Sequence, residues 1–332
     1  MGNFVKKILL MFVIILIIFS ASNLTAVDNY NRLYDLYKKG DFVTLKKVLV
    51  KETDIITRDK KINEKVYTDI TLKFNDRNLT EHYLKSALKN AGNQSLWLKR
   101  LALFYIETKK HDEIYYLTLN YKKISVEDEV VLYHFGLSNA ERNKLAQAEE
   151  FFKSAISLNP FYKDAYRELS KIYDKKTDKQ FNIKLIESYL QIVGNDWDFF
   201  IKLADLYYNT GKDNEFISLL DKIFQMSKDE KFRQKYLKLS IDRARENVLK
   251  SNYASVENYG RFFYKFYPNS FISNYSNGIS AYSKKNYDNA IAFLSVAVNL
   301  DKTYSETYRY LGESYFYINK NDKAEECLNT YI

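Results

Sequence analysis

The 332-residue sequence predicts an all-α fold, a solenoid of about nine helix-turn-helix repeats. The first observation behind this is one stretch, Leu132 to Pro160. It carries a small residue, Gly136, on one apolar stripe, then a second stripe through Ala148, Phe152 and Ala155 that stops at Asn159-Pro160. Two amphipathic helices joined by a short polar turn cannot bury both apolar faces alone, and need neighbours of the same kind. The second observation is that this spacing recurs with a period of 34. With Glu129 as position 1, Gly136 is position 8, and Ala148, Phe152, Ala155 and Pro160 are positions 20, 24, 27 and 32. The frame from Phe271 holds Gly278, Ala290, Leu294 and Ala297 at 8, 20, 24 and 27. The frame from Ser305 holds Gly312, Ala324 and Leu328 at 8, 20 and 24, with Tyr308, Leu311 and Tyr315 at 4, 7 and 11. The third is composition: 46% hydrophobic residues supply a core, and only two prolines and nine glycines leave helices almost uninterrupted.

Close packing explains the pattern. Small residues at 8 and 20 let the two helices of a pair approach, alanine at 27 admits the next repeat's first helix, and large residues at 4, 7, 11 and 24 fill the rest. The pattern resembles the tetratricopeptide repeat family. That resemblance implies a right-handed α-solenoid that binds other proteins and has no catalytic chemistry.

In order along the chain, Met1 to Ala26 reads as a targeting segment. Lys6 and Lys7 form a positive start, and Ile8 to Phe19 is an unbroken apolar run. As a helix, those residues rise about 18 Å, short of the hydrocarbon core of about 30 Å. A cleaved export signal, ending after Ser22 or Ala26, is therefore favoured over an anchor. Including Ser20 to Thr25 would make a spanning helix, so an uncleaved anchor stays open. Both place the remainder outside the cytoplasm, in the periplasm or cell envelope, with membrane contact only through residues 1–26.

Repeats then fall at 27–60, 61–94, 95–128, 129–162, 163–196, 197–230, 231–270 with an insertion, 271–304 and 305–332. The first is irregular, with Tyr30, Leu33 and Tyr37 at 4, 7 and 11, and Gly40-Asp41 at the turn. The second recovers only at Leu84 and Ala87. Frames from Ser95, Glu129, Lys163 and Trp197 keep unbroken register, although Asn182 stands where a small apolar residue is expected. The register then slips by six, and the surplus is expected near Asn247 to Tyr253 as a longer turn. No polar capping helix follows Ile332 in this sequence. The last repeat's outer face, with Leu328 and Tyr331, either docks a partner or is solvated by Glu325, Glu326 and Asn329.

Little here suggests chemistry. Cys327 is alone and reads as a small filler beside an apolar stripe. His82, His111 and His134 share no ligand spacing. Neither a catalytic motif nor a phosphate-cradling glycine loop occurs. Carboxylate pairs such as Glu149-Glu150 sit beside lysines on solvated faces. The expectation is therefore no enzyme, no cofactor and no metal. The formal charge is +9, and about +7 without Lys6 and Lys7. The most basic run, Arg233 to Arg245, fits a solvated helix face, so no nucleic-acid partner is expected.

What a repeat array can do is present a groove. By the resemblance, positions 2, 5, 9, 12 and 13 of each first helix line it. They place there Tyr133 and Leu137, Arg167 and Lys171, Ile201 and Tyr208, then Ile272, Tyr275, Ile279 and Tyr282, and finally Arg309, Phe316 and Tyr317. The family's lysine-and-asparagine carboxylate clamp at 5 and 9 is absent: those positions read Lys99 and Leu103, Arg167 and Lys171, or Arg309 and Glu313. An aromatic, mildly basic groove suits a protein or peptide partner. A carrier of glycans or other ligands is the remaining alternative.

Overall fold

The computed structural model describes residues 27–68 and 76–331, and Met1 to Ala26, where a targeting segment is expected, lies outside them. The chain falls into two compact units, Met1–Thr177 and Asp178–Ile332. The described residues form eighteen helices and no strand. In unit 1 these are α1 (27–38), α2 (Phe42–Ile56), α3 (Lys60–Val66), α4 (Arg77–Asn90), α5 (Gln94–Glu107), α6 (His111–Asn120), α7 (Glu129–Glu141), α8 (Leu145–Leu158) and α9 (Lys163–Lys175). Unit 2 contains α10 (Lys179–Val193), α11 (Trp197–Thr210), α12 (Asp213–Met226), α13 (Glu230–Leu249), α14 (Tyr253–Phe266), α15 (Phe271–Ser283), α16 (Tyr287–Leu300), α17 (Ser305–Tyr317) and α18 (Asn321–Tyr331). No helix among the described residues is long and apolar enough to cross a membrane.

Local rules set the boundaries. Asp41, Asp76, Asn93, Asp128 and Asp229 each accept a hydrogen bond from the backbone N–H three residues on, capping α2, α4, α5, α7 and α13. The turns inside the pairs share one geometry. Lys109, Asn143, Thr177, Gly211, Ser251, Lys285 and Asn319 all have φ between 55° and 71°, and each is position 15 of its frame. The next N–H then reaches back to the carbonyl of position 11, as from Lys110 to Tyr105 and from Lys320 to Tyr315, both at 2.9 Å. Six of these seven residues carry a side chain, which the left-handed region penalises.

Packing inside a pair rests on positions 8 and 24. A Cβ added at Gly136 would lie 2.5 Å from Phe152 Cε1, one at Gly278 would lie 2.6 Å from Leu294 Cγ, and one at Gly312 would lie 2.8 Å from Leu328 Cγ. Phe152 and Leu294 are fully buried, as are Ala148, Ala155, Ala290 and Ala297, and Ala324 is nearly so. Ala155 packs with Leu132 of its own pair and Ala165 at the start of α9, so a small residue there admits the following helix. Burying a side chain the size of Phe152 or Leu294 is worth about 1.5–3 kcal/mol.

The register slip is accommodated differently from the sequence expectation. The turn after α13 is three residues long, as in most of the other pairs, and the surplus extends the N-terminal end of α13 to twenty helical residues. Nothing in Glu230 to Leu249 breaks a helix, and the added turns gain contacts. Phe232 packs on Trp197 with ring centroids 4.9 Å apart, and buried Tyr236 donates its hydroxyl to Asp205 Oδ1 at 2.8 Å. Asn182 is completely buried on α10.

Two outcomes follow. Gly136→Ala drives a Cβ into a ring that has nowhere to go, and should lower the free energy of unfolding by about 2 kcal/mol despite the gain in helix propensity. Lys285→Gly relieves a left-handed side chain and should raise it by about 0.5–1 kcal/mol. Urea denaturation followed by circular dichroism measures both, and a stabilised Gly136→Ala would contradict the packing described.

Candidate partner-binding surface

In unit 1 the first-helix face is partly apolar. Tyr133 is half-buried, its ring 5.2 Å from that of Tyr162 and 5.8 Å from that of Phe152. Burial raises the Tyr133 hydroxyl above its ordinary pKa, followed by the field of Glu168 and Asp164. Leu137 lies half-buried one turn along, and Leu103 and Val130 are exposed. The basic pair on α9 is locally balanced: Arg167 bridges to Asp164 at 2.5 Å and Lys171 to Glu168 at 2.7 Å. Exposed bridges of this kind are worth little. They do lower the net positive potential that the residue names alone suggest.

In unit 2, Ile201 and Tyr208 are half-buried, and the Arg243 guanidinium lies 4.5 Å over the Tyr208 ring. Three of the groove residues are not on a surface at all. Tyr275 is 1% exposed and Ile279 is 0%, and Ile272 beside them is buried too. The cause is local. The Tyr304 ring stands edge-on to Tyr275 at 5.2 Å and to Phe271 at 5.4 Å, with the Arg245 guanidinium 5.1 Å over Tyr304. These side chains come from a helix approach and from α13, neither of which the periodicity of α15 reveals.

The aromatic residues that do reach solvent form a strip at the turn end of α15 to α17. Tyr282 meets Tyr310 at 5.1 Å and Tyr287 at 6.0 Å; Tyr287 stacks on Tyr317 at 4.6 Å with ring planes 15° apart; Phe316 follows at 5.9 Å. Phe316 is 60% exposed and Tyr317 54%. Burial, then a hydrogen bond to Glu313, raises the Tyr282 hydroxyl, while burial pushes Tyr310 up to about 12. Arg309 completes the strip. It lies 4.1 Å over the Tyr310 ring and bridges to Glu306 at 2.9 Å and Glu313 at 3.4 Å.

The groove positions of the last repeat are therefore charged where those of the repeat before it are apolar. Positions 2, 5 and 9 hold Ile272, Tyr275 and Ile279 in α15 but Glu306, Arg309 and Glu313 in α17, and Tyr331 donates to Glu306 at 3.5 Å. Leu328 is half-buried against Gly312.

One device in unit 1 escaped the sequence reading. Tyr105 at position 11 donates to Glu81 at position 21 of the preceding repeat (3.2 Å), and Lys85 and Lys110 bridge to the same carboxylate. Tyr173 at position 11 does the same to Glu149 at 3.3 Å, with Lys153 and Lys176. The signal was a Glu, a Lys four residues on, and a Tyr twenty-four residues after the Glu, which a search for stacking positions passes over. Burial alone would raise both carboxyls, but the lysine hydrogen bonds outweigh it and hold them below the ordinary glutamate range.

Of the three histidines, His134 is half-buried and its pKa is lowered, chiefly by burial and then by His111. Burial likewise raises the Cys327 thiol. Among the described residues, no group of three or more His, Cys, Asp or Glu could hold a metal ion.

The paired helices and their glycine contacts give a tetratricopeptide-like fold. Solved structures with which the chain aligns include tetratricopeptide proteins. One is YrrB, described as having an unusual peptide-binding site, at 15% identity over 66% of this chain and 90% of that one, with a TM-score of 0.26. Another is MamA, at 20% identity over 50% of this chain and 96% of that one, with a TM-score of 0.38. A third, from Parabacteroides merdae, is 13% identical over 76% of this chain and 98% of that one, with a TM-score of 0.35. No family model and no curated protein matches the chain.

Because folding lowers the pKa of Glu81 and Glu149, each adds stability that is present above the unfolded-state glutamate value and is lost as pH falls through the folded one. Acid titration of the Glu81→Gln, Glu149→Gln double variant should thus give a shallower stability loss between about pH 5 and pH 3 than the parent chain. Identical acid limbs would mean that the two carboxylates are not held as described.

Proposed function

We propose that the chain is a non-catalytic scaffold of the cell envelope that binds a protein or peptide segment on its first-helix face. The observation that carries this is the strip from Tyr282 to Phe316. It ends in two adjacent aromatic side chains, Phe316 and Tyr317, that are each more than half exposed and continue the row of rings from Tyr282 and Tyr287. Aromatic rings with few rotors supply contact area at low entropic cost, which suits recognition of an extended or helical peptide. The export part of the reading rests on sequence: a positive start followed by the apolar run from Ile8 to Phe19.

That same run supports a second reading, a membrane-tethered assembly factor held by an uncleaved Met1 to Ala26 helix. N-terminal sequencing after cell fractionation separates the two. A mature start at Asn23 or Val27 excludes the tether, and an intact Met1 in the membrane fraction excludes the released scaffold.

The groove itself is tested by crosslinking in native cells with the parent chain and a Phe316→Ala, Tyr317→Ala variant. Both side chains are solvated, so the variant should melt within about 0.5 kcal/mol of the parent. It should also lose crosslinks that the parent forms. Recovery of the same partners by both forms would exclude this strip as the binding surface.

A further inference from the structure

One junction in unit 1 departs from the pattern that closes the others. Position 24 of the second helix is large and apolar at Leu84, Phe152, Ile186, Leu220, Leu294 and Leu328, but is Thr118 in the frame from Ser95. Position 11 of the following first helix, a tyrosine at Tyr105 and Tyr173, is Asn139 here. Position 21 is Tyr115, so the glutamate that receives those tyrosines is missing too. The two short polar side chains meet instead. Asn139 Nδ2 donates to Thr118 Oγ1 at 3.2 Å and to the Phe135 carbonyl at 2.8 Å.

Where the larger side chains would lie there is a groove of 520 Å³ between α6, the end of α7 and α8. That is within the range of about 300–1,000 Å³ typical of ligand pockets. Its floor is Asn139, a residue 2% exposed overall whose Oδ1 accepts no hydrogen bond from the described residues and is open to solvent in the groove. Leu119, 41% exposed, and half-buried Phe151 give its walls an apolar part, beside Tyr115, Thr118 and Gln147. Lys122 and Lys144 also line it, and neither ammonium forms an ion pair among the described residues, against the single carboxylate of Glu150. Arg142 nearby is already engaged, bridged to Asp112 and lying 4.4 Å over the Tyr115 ring.

We propose that this groove takes an aromatic, hydroxyl-bearing side chain of a partner peptide, flanked by carboxylates. The ring enters between Leu119 and Phe151, filling the volume that Tyr105 and Tyr173 fill at the junctions on either side of this one. The phenol O–H donates to Asn139 Oδ1, and the flanking carboxylates face Lys122 and Lys144. An acceptor that only water meets in the empty groove gives preference for a hydroxyl over a plain ring once the ring excludes that water. The unpaired ammoniums favour acidic over basic neighbours, with a dependence on salt. This site lies in unit 1 and is independent of the aromatic strip of unit 2.

Calorimetric titration of the full chain with acetyl-Glu-Tyr-Glu-amide tests it. Saturable binding that weakens with salt is expected, and acetyl-Glu-Ala-Glu-amide should bind at least about tenfold more weakly. The Thr118→Leu, Asn139→Tyr double variant installs the residue types of the other junctions and should abolish binding. Leu119→Asp, at an exposed position, should keep the fold and also abolish it, so misfolding of the double variant cannot hide the answer. Phe316→Ala with Tyr317→Ala should leave this binding unchanged. No saturable binding, binding that survives both groove variants, or equal binding of acetyl-Lys-Tyr-Lys-amide would overturn the proposal.

Discussion

The contact between a glycine at position 8 and the large side chain at position 24 is the constraint on which these repeats depend. Without a Cβ at Gly136, the Phe152 ring rests directly on the α7 backbone, and Gly278 with Leu294 and Gly312 with Leu328 repeat the arrangement. A protein interior close-packed like a crystal cannot absorb a misplaced methyl at such a point. The separation of the helices is set there, and the left-handed turn at position 15 follows from it. A turn of fixed shape must connect helices held at a fixed distance, whichever residue occupies it. That is why lysine, asparagine, threonine and serine tolerate a conformation that glycine would adopt more readily.

The helical pairs and the small positions were readable from sequence because they belong to single elements with a strong period. Leu132 to Pro160 showed its own pairing, and the copies at Phe271 and Ser305 showed it again. What could not be read was which side chains from other elements come to rest on a given face. Tyr275 and Ile279 lie on the stripe assigned to the groove, yet Tyr304 and Arg245, at positions with no packing rule, sit over that region and contribute to its burial. The stretched repeat failed for a related reason. Counting residues locates a surplus but does not say whether helix or turn absorbs it, and in α13 the contacts of Phe232 and Tyr236 favour helix.

Charge behaves in the same local way. The formal excess of lysine and arginine suggests a basic surface, but Arg167, Lys171 and Arg309 each find a carboxylate three or four residues along the same helix. What distinguishes surfaces in this chain is where ring faces reach solvent and where an ammonium lacks a counter-charge. Phe316 and Tyr317 are the first case, and Lys122 and Lys144 the second.

The tyrosine-to-glutamate ties in unit 1 have one more consequence. They join the second pair to the third and the fourth to the fifth, through Glu81 and Glu149, and skip the junction between the third and the fourth. An array whose neighbours are unequally coupled does not open as one body. It parts first where the coupling is weakest, and the blocks on either side open as separate cooperative segments. In unit 1 one such seam runs between α6 and α8, so a guest seated over Thr118 and Asn139 would act as a rivet between the repeats on its two sides.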